Sequence, residues 1–136
     1  MGDVAREREL AWQASRAWND GGMDALLQYL DADVEWHPPA ESMEAGIYRG
    51  HDGVRDYLGR PAAIFEEARV EPLEVIDVDD ERVITVIRVI GRSEHFGGEI
   101  DADFAWLITF GANRLLVRVE TFTDTAEALE AAGLSE

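Results

Sequence analysis

The sequence lacks cysteine and lysine altogether and is poor in positive charge. Without cysteine, a disulfide scaffold and a cysteine-ligated zinc site are both excluded. The 12 basic residues, all arginine, are outnumbered by 29 acidic residues, which leaves a formal net charge of −17. Such a surface repels phosphate backbones and anionic lipids, so we expect neither nucleic acid nor a membrane as a partner.

Long apolar runs and targeting signals are also missing. No run approaches the ~20 residues of a membrane span, and residues 1–9 lack the apolar core of a signal peptide. We therefore expect a cytoplasmic protein. No glycine-rich phosphate loop is present, and His37, His51 and His95 lack metal-ligand spacing, so we expect no cofactor and no metal.

Hydrophobic periodicity predicts helices first and long strands afterwards. The 136 residues suit one domain, over 1–136, of the α+β class. Three N-terminal helices are expected to close a curved antiparallel sheet with a mixed edge, and a short C-terminal helix follows. This arrangement forms a cone whose mouth suits a small molecule. The predicted helices cover 4–18, 23–30, a segment from 53 that Pro61 interrupts, and 124–132; the predicted strands cover 34–38, 69–78, 82–90, 100–110 and 115–122.

Five segments resemble the SnoaL-like group of the NTF2-like superfamily: residues 17–27, 33–38, 48–57, 118–124 and 126–134. The resemblance covers nearly the whole chain. It implies the NTF2-like cone with an internal cavity, and a homodimer. Because the superfamily includes ketosteroid isomerases, polyketide cyclases and limonene epoxide hydrolases, the resemblance implies no single reaction.

His37 and Glu120 are the candidate catalytic residues. In an alignment without gaps, His37 falls where the isomerases keep their carboxylate base, and a histidine can move protons near neutral pH. The alternative for His37 is a structural role at a strand end, with a hydrogen bond to the backbone. Glu120 occupies the place of a carboxylate on the last long strand of the limonene epoxide hydrolases.

Arg118 shares a sheet face with Glu120, because side chains on a strand alternate between the two faces. If that face is concave, the pair is partly buried and can orient a substrate oxygen and move a proton. If it is convex, the pair is a surface ion pair or a dimer contact.

Five more residues are candidates for contact with a hydrophobic substrate. Phe104 and Trp106 share one face of their strand and either form a cavity wall or fill the core; Trp106 falls near the second acidic position of the isomerases. Tyr57 falls near aromatic cavity residues of the isomerases or simply packs on its helix. Trp36 points away from the candidate histidine if its strand is regular. Arg88, in an apolar run, reaches a buried carboxylate or ligand, or lies at an interface rim.

At two positions the sequence differs from these relatives, and the differences reduce the number of reactions that we expect. Ala14 stands where the isomerases place their oxyanion-binding tyrosine, so steroid isomerase activity is not expected. An epoxide hydrolase needs a second carboxylate beside Glu120. No residue is assigned to that role, because Asp101 and Asp103 point away from the face of Trp106. The leading hypothesis is a SnoaL-like protein that encloses a small hydrophobic metabolite and acts as a cofactor-independent acid–base enzyme of the cyclase, isomerase or hydrolase type. The alternative is a non-catalytic ligand-binding or dimerisation module.

Overall fold

A computed structural model describes residues 3–39, 46–64, 69–93 and 98–134. Two long helices, with two strands between them, precede the remaining strands, and a short helix comes last, which confirms the predicted α+β class. The elements are α1 (Asp3–Leu27), β1 (Leu30–His37), β2 (Tyr48–Arg49), α2 (Gly50–Ile64), β3 (Arg69–Asp77), β4 (Arg82–Ser93), β5 (Gly98–Phe110), β6 (Leu116–Phe122) and α3 (Thr125–Ala131).

The strands form one six-stranded sheet in the order β2-β1-β6-β5-β4-β3. All neighbours are antiparallel except β1 and β6, which run parallel. A parallel pair needs a long crossover connection, and here α2 and four further strands, β2 to β5, provide it. The sheet is therefore mixed, and it does not close into a barrel.

The first two predicted helices are one element with a kink. Gly22, between the two predicted helices, has φ 67° and ψ −148°, a conformation that glycine adopts without a steric penalty. The prediction that Pro61 interrupts the third helix is wrong, because α2 continues to Ile64. Pro61 begins the last four residues of α2, so its missing N–H costs only one hydrogen bond near the helix end.

β1 begins at Leu30, which the predicted helix over 23–30 included, and therefore starts before the predicted strand over 34–38. No strand is predicted between residues 39 and 50, yet Tyr48–Arg49 forms β2, a two-residue strand too short to show alternation. β4 extends beyond its predicted end to Ser93, and β5 begins before its predicted start, at Gly98. Residues 94–97, between these two strands, lie outside the described residues.

The two faces of the sheet are covered by different helices. We call the face packed against α1 and α2 the inner face, and the opposite one, covered in part by α3, the outer face. The inner core includes Ala11, Ala14, Leu26, Leu27, Leu30, Val34, Trp36, Val54, Val75, Val83, Ile108, Phe110, Leu116 and Val119. The smaller outer cluster includes Ile84, Ala105, Leu107, Ala128 and Ala132.

Burial on the inner face is uneven. Leu30, Phe110 and Leu116 are at most 4% exposed. Val89 and Phe104, further along β4 and β5, are half-buried, whereas Ile87, which lies opposite Phe104, is 1% exposed. Fully covered and partly covered side chains therefore occur side by side on this face.

Side chains of α1 protect β3, which is an edge strand. Asn19 Nδ2 donates to the carbonyl of Val70 at 2.6 Å, and the amide of Val70 donates back to Asn19 Oδ1 at 2.7 Å. Arg8 Nη2 donates to the carbonyl of Val75 at 3.3 Å, and Pro72 has no N–H to offer. Unpaired edge groups invite pairing with other chains, and this arrangement leaves few of them available.

Asn19→Ala removes both hydrogen bonds to Val70 and leaves a half-buried amide and carbonyl without partners. We expect the free energy of unfolding to fall by about 1 kcal/mol, measured by urea denaturation. Gln13→Ala is the matched control, because Gln13 bonds only to Glu9 on the exposed side of the same helix. Equal stability of the two variants would contradict the role assigned to Asn19.

Candidate functional site

The strand register sorts the predicted site residues onto the two faces. In the parallel pair of β1 and β6, Trp36 lies opposite Val119 and His37 lies opposite Glu120. Val119 belongs to the inner core, so Trp36 points inward and His37 points outward. The expectation that Trp36 points away from His37 agrees with this register.

Five aromatic side chains lie on or against the inner face, and we call them the aromatic wall: Trp36, Tyr48, Tyr57, Phe104 and Trp106. The rings of Trp36 and Trp106 pack edge to face, with centroids 5.6 Å apart and planes at 77°. Tyr48 of β2 and Tyr57 of α2 pack with centroids 4.8 Å apart. Phe104 lies opposite Ile87 of β4 and points to the same face as Trp106.

Gly53 makes the contact between the two tyrosines possible. A Cβ atom at this position would lie 3.0 Å from the carbonyl carbon of Tyr48, closer than real Cβ atoms normally come. The absence of a side chain therefore allows α2 to pack tightly on β2. One helical turn later, α2 presents Tyr57 to Tyr48.

The inner face carries no charge on its central strands. Within residues 30–37, 82–92, 101–110 and 116–122 of β1, β4, β5 and β6, every side chain that points inward is apolar or a threonine. On α1, Ser15 is buried and its hydroxyl donates to the carbonyl of Ala11 at 2.8 Å. Ala14 is 3% exposed. This face can therefore hold an apolar ring, and these strands and Ala14 supply no ionised acid or base to it.

The outer face carries what we call the charged cluster: Glu35, His37, Arg49, Arg118 and Glu120. Arg118 Nη2 lies 2.7 Å from Glu120 Oε1. His37 Nε2 lies 3.2 Å from Glu35 Oε1, so the imidazole donates to the carboxylate when Nε2 carries a proton. Arg49 Nη2 approaches Glu35 Oε2 at 4.0 Å. Arg118 and Glu120 thus form an ion pair on the outer face, the side of the sheet opposite α1 and α2.

The charged cluster is unevenly buried. The side chains of His37 and Glu120 are 20% and 21% exposed, whereas that of Arg118 is 48% exposed. The sheet itself separates His37 and Glu120 from the aromatic wall. The structure therefore brings the two candidate catalytic residues together, on opposing strands, but on the other side of the sheet from Trp36, Phe104 and Trp106.

Arg88 also lies on the outer face. Its Nε donates to Asp103 Oδ1 at 2.9 Å and lies 3.5 Å from Asp101 Oδ1. The hydrogen bond to Asp103 and the charges of both carboxylates raise the pKa of the Arg88 guanidinium. Arg88 is thus held by half-exposed carboxylates of the neighbouring strand and does not face the aromatic wall.

Sequence reasoning missed three residues of the inner face: Tyr48, Thr85 and Thr121. Tyr48 was not predicted as an inner-face residue, because β2 has only two residues and shows no alternation. Thr85 lies between Val83 and Ile87 on one face of an apolar strand. The single hydroxyl between these apolar residues is the sequence feature that could have identified Thr85 as a candidate. Thr121 follows directly after Glu120. The resemblance indicates Glu120 as the functional residue of this strand, and the side chain of Glu120 points to the opposite face.

Within the described part of the chain, no group of three or more histidine, aspartate or glutamate side chains is placed to hold a metal ion. Among the described helices, none is long and apolar enough to cross a membrane.

The fold and the inner face define a class of protein: an α+β cone in which helices cover one face of a mixed sheet and aromatic side chains line that face. Comparison with known proteins supplies the family. The SnoaL-like domain family matches residues 11–119, and the chain belongs to it. The uncharacterized protein Mb0035 of Mycobacterium bovis is 31% identical over 119 residues, which cover 87% of this chain and 89% of Mb0035.

Solved structures agree on the fold. Bal32a, from a soil-derived mobile gene cassette, has a TM-score of 0.76 and 23% identity, covering 88% of this chain and 89% of its own. SalBIII, an epoxide hydrolase/cyclase-like enzyme in pyran ring formation in the polyether salinomycin, has a TM-score of 0.75 and 15% identity, covering 91% and 95%. At these identities the likeness shows the NTF2-like fold alone, and it confirms the resemblance.

Glu120→Gln removes one charge of the pair with Arg118. Because Arg118 is half-exposed to water, we expect the free energy of unfolding to change by less than about 1 kcal/mol, as for a surface ion pair. Asp77→Asn, which breaks the exposed pair of Arg8 and Asp77, is the control in the same urea titrations. A loss of about 3 kcal/mol or more for Glu120→Gln alone would instead indicate a buried, uncompensated charge.

Proposed function

We propose that this SnoaL-like domain holds a small hydrophobic, ring-containing metabolite against the aromatic wall. The observation that carries the proposal is the edge-to-face pair of Trp36 and Trp106 on an inner face without charged side chains on its described central strands. Ligand sites are mostly apolar, with aromatic side chains and a few polar groups that orient the ligand.

The exposure of the wall supports the same proposal. Trp36 is buried, whereas Trp106, Phe104 and Tyr57 keep part of their surface uncovered. Partly covered rings on an apolar face offer area to a flat ligand, and ring pairs gain about 0.5–1.5 kcal/mol beyond the burial of their area. The ligand covers the part of these rings that the protein leaves exposed.

The relatives indicate the chemical class of the ligand. SalBIII, whose fold is similar, acts in pyran ring formation, and the family includes cofactor-independent cyclases and isomerases. We therefore propose a cyclic or carbonyl-bearing metabolite that is bound without a cofactor.

An acid–base role for His37 and Glu120 is our second proposal, and it needs a substrate on the outer face. Three features favour it: the two residues lie opposite each other, each is about one-fifth exposed, and Glu35 is within hydrogen-bond distance of the imidazole. A carboxylate that orients a histidine is typical of a general base. Arg118 would then polarise an oxygen of the substrate.

As the alternative to this role for the same surface, we propose a homodimer formed through the charged cluster. Two chains of net charge −17 repel each other, so their contact needs positive charge on each side. Arg49 and Arg118 are 64% and 48% exposed beside Glu35 and Glu120, and a two-fold axis would place arginines of one copy against glutamates of the other. A cytoplasmic location stays a prediction.

Trp106→Phe reduces the aromatic wall without adding a charge. We expect it to weaken the binding of N-phenyl-1-naphthylamine, a neutral apolar dye, by about threefold to tenfold because contact area is lost. Fluorescence titration measures the affinity. Trp12→Phe is the matched control, since Trp12 is an exposed residue of α1, and it should leave the affinity unchanged.

Two further variants separate the two faces in the same titration. His37→Gln and Glu120→Gln should leave dye affinity unchanged, because their side chains lie beyond the sheet. Absence of dye binding by the natural chain, or equal effects of Trp106→Phe and Trp12→Phe, would contradict the proposed site.

Sedimentation at micromolar concentration tests the dimer. We expect a species of twice the 15.2 kDa chain mass, and Arg118→Glu should shift it to the monomer because like charges then face each other. Arg55→Glu is the control, since Arg55 pairs with Asp24 on the helices rather than on the outer face. A natural chain that sediments only as a monomer would overturn the dimer.

A further inference from the structure

Two threonines flank Trp106 on the inner face. In the register of the sheet, Thr85 of β4 lies opposite Trp106 of β5, and Thr121 of β6 lies opposite it on the other side. Residues that are directly opposite one another point to the same face. The three side chains therefore form one row across the sheet, with the indole in the middle.

The hydroxyls of these threonines are buried without a hydrogen bond. Thr85 is 0% exposed, and neither Thr85 Oγ1 nor Thr121 Oγ1 has a partner among the described residues. Ser15 is the contrast on the same side of the sheet, because its buried hydroxyl donates to Ala11. A buried polar group without a partner destabilises the fold.

Shape alone does not explain two threonines in this row. Valine has nearly the same shape as threonine and suits a strand equally well, without a hydroxyl to leave unpaired. The inner face uses valine at Val83 and Val89 of β4 and at Val119 of β6. A destabilising group that is kept where an apolar isostere would fit is typical of a functional site.

We propose that Thr85 and Thr121 are two polar anchors of the ligand site, one on each side of Trp106. This inference rests on the proposed binding function and specifies its ligand: a flat ring system with oxygen substituents, hydroxyl or carbonyl, on opposite edges. The two threonines are two strand spacings apart, which is about 10 Å. That distance suits fused rings and is too long for a single oxygen to bridge.

Access to the anchors requires side-chain movement. Both Oγ1 atoms lie beneath neighbouring atoms, and the ring of Trp106 stands between them. Trp106 is partly uncovered. On binding, its ring rotates and uncovers both hydroxyls together, and the ligand packs against both Trp36 and the rotated indole.

The test compares two probes, 2,6-dihydroxynaphthalene and naphthalene, by titration of the indole N–H signals in nuclear magnetic resonance. We expect the dihydroxy probe to bind the natural chain more tightly. Thr85→Val and Thr121→Val should each weaken it by about fivefold and leave naphthalene unchanged. Thr85→Ser, which keeps the hydroxyl, should retain the preference, and Thr85→Val should also raise the melting temperature.

Thr109→Val is the matched control, because Thr109 lies opposite Arg118 on the outer face; it should change neither affinity. If both probes shift the indole N–H signals of Trp36 and Trp106 equally in all variants, the role assigned to Thr85 and Thr121 is wrong, whereas the proposed aromatic site is supported. If neither probe shifts these signals, both the anchors and the proposed function are wrong. A melting temperature lowered by Thr85→Val would show that the hydroxyl has a structural partner, and it would overturn the inference.

Discussion

The alternation of side chains along β1 and β6 determines which face of the sheet is apolar and which face is charged. In β1, Trp36 and His37 are neighbours in sequence, and the parallel pairing with β6 sends them to opposite faces beside Val119 and Glu120. One side of the sheet thereby becomes an apolar, aromatic surface, and the other becomes a charged one. A shift of the pairing by one residue would exchange them.

The helices then decide what each face can do. α1 and α2 cover the side that carries Trp36 and Trp106, while α3 covers only part of the other. The inner face is consequently shielded from water and supplies contact area rather than charge. Glu120 and Arg118 remain close enough to water that their charges are largely screened, which lowers the free energy of their pairing.

The distribution of charge follows the same logic. A chain of net charge −17 must spread its carboxylates over its surface, and the arginines are placed where they neutralise clusters of them. Arg88 beside Asp103 and Asp101, and Arg118 beside Glu120, are examples on the outer face. Arginine suits this role because its guanidinium stays charged and offers several donors.

Much of the fold follows from local patterns. Apolar spacing predicted the helices, and alternation correctly put Phe104 and Trp106 on one side of β5 and Asp101 and Asp103 on the other. The resemblance supplied the cone. Local patterns failed at Pro61, where one lost hydrogen bond was tolerated near the helix end, and at β2, where two residues carry no period.

The sequence by itself determined which residues share a strand face, because alternation is a property of the extended backbone. It left open which face the helices cover, since apolar residues such as Val119 and Phe122 occur on both sides of β6. Only the tertiary structure decided that Trp36 and Trp106 lie under the helices and that His37 and Glu120 lie outside. The physical reason is that β1 meets β6 only in the folded sheet, after a crossover through α2 and four strands, and no local segment records that contact.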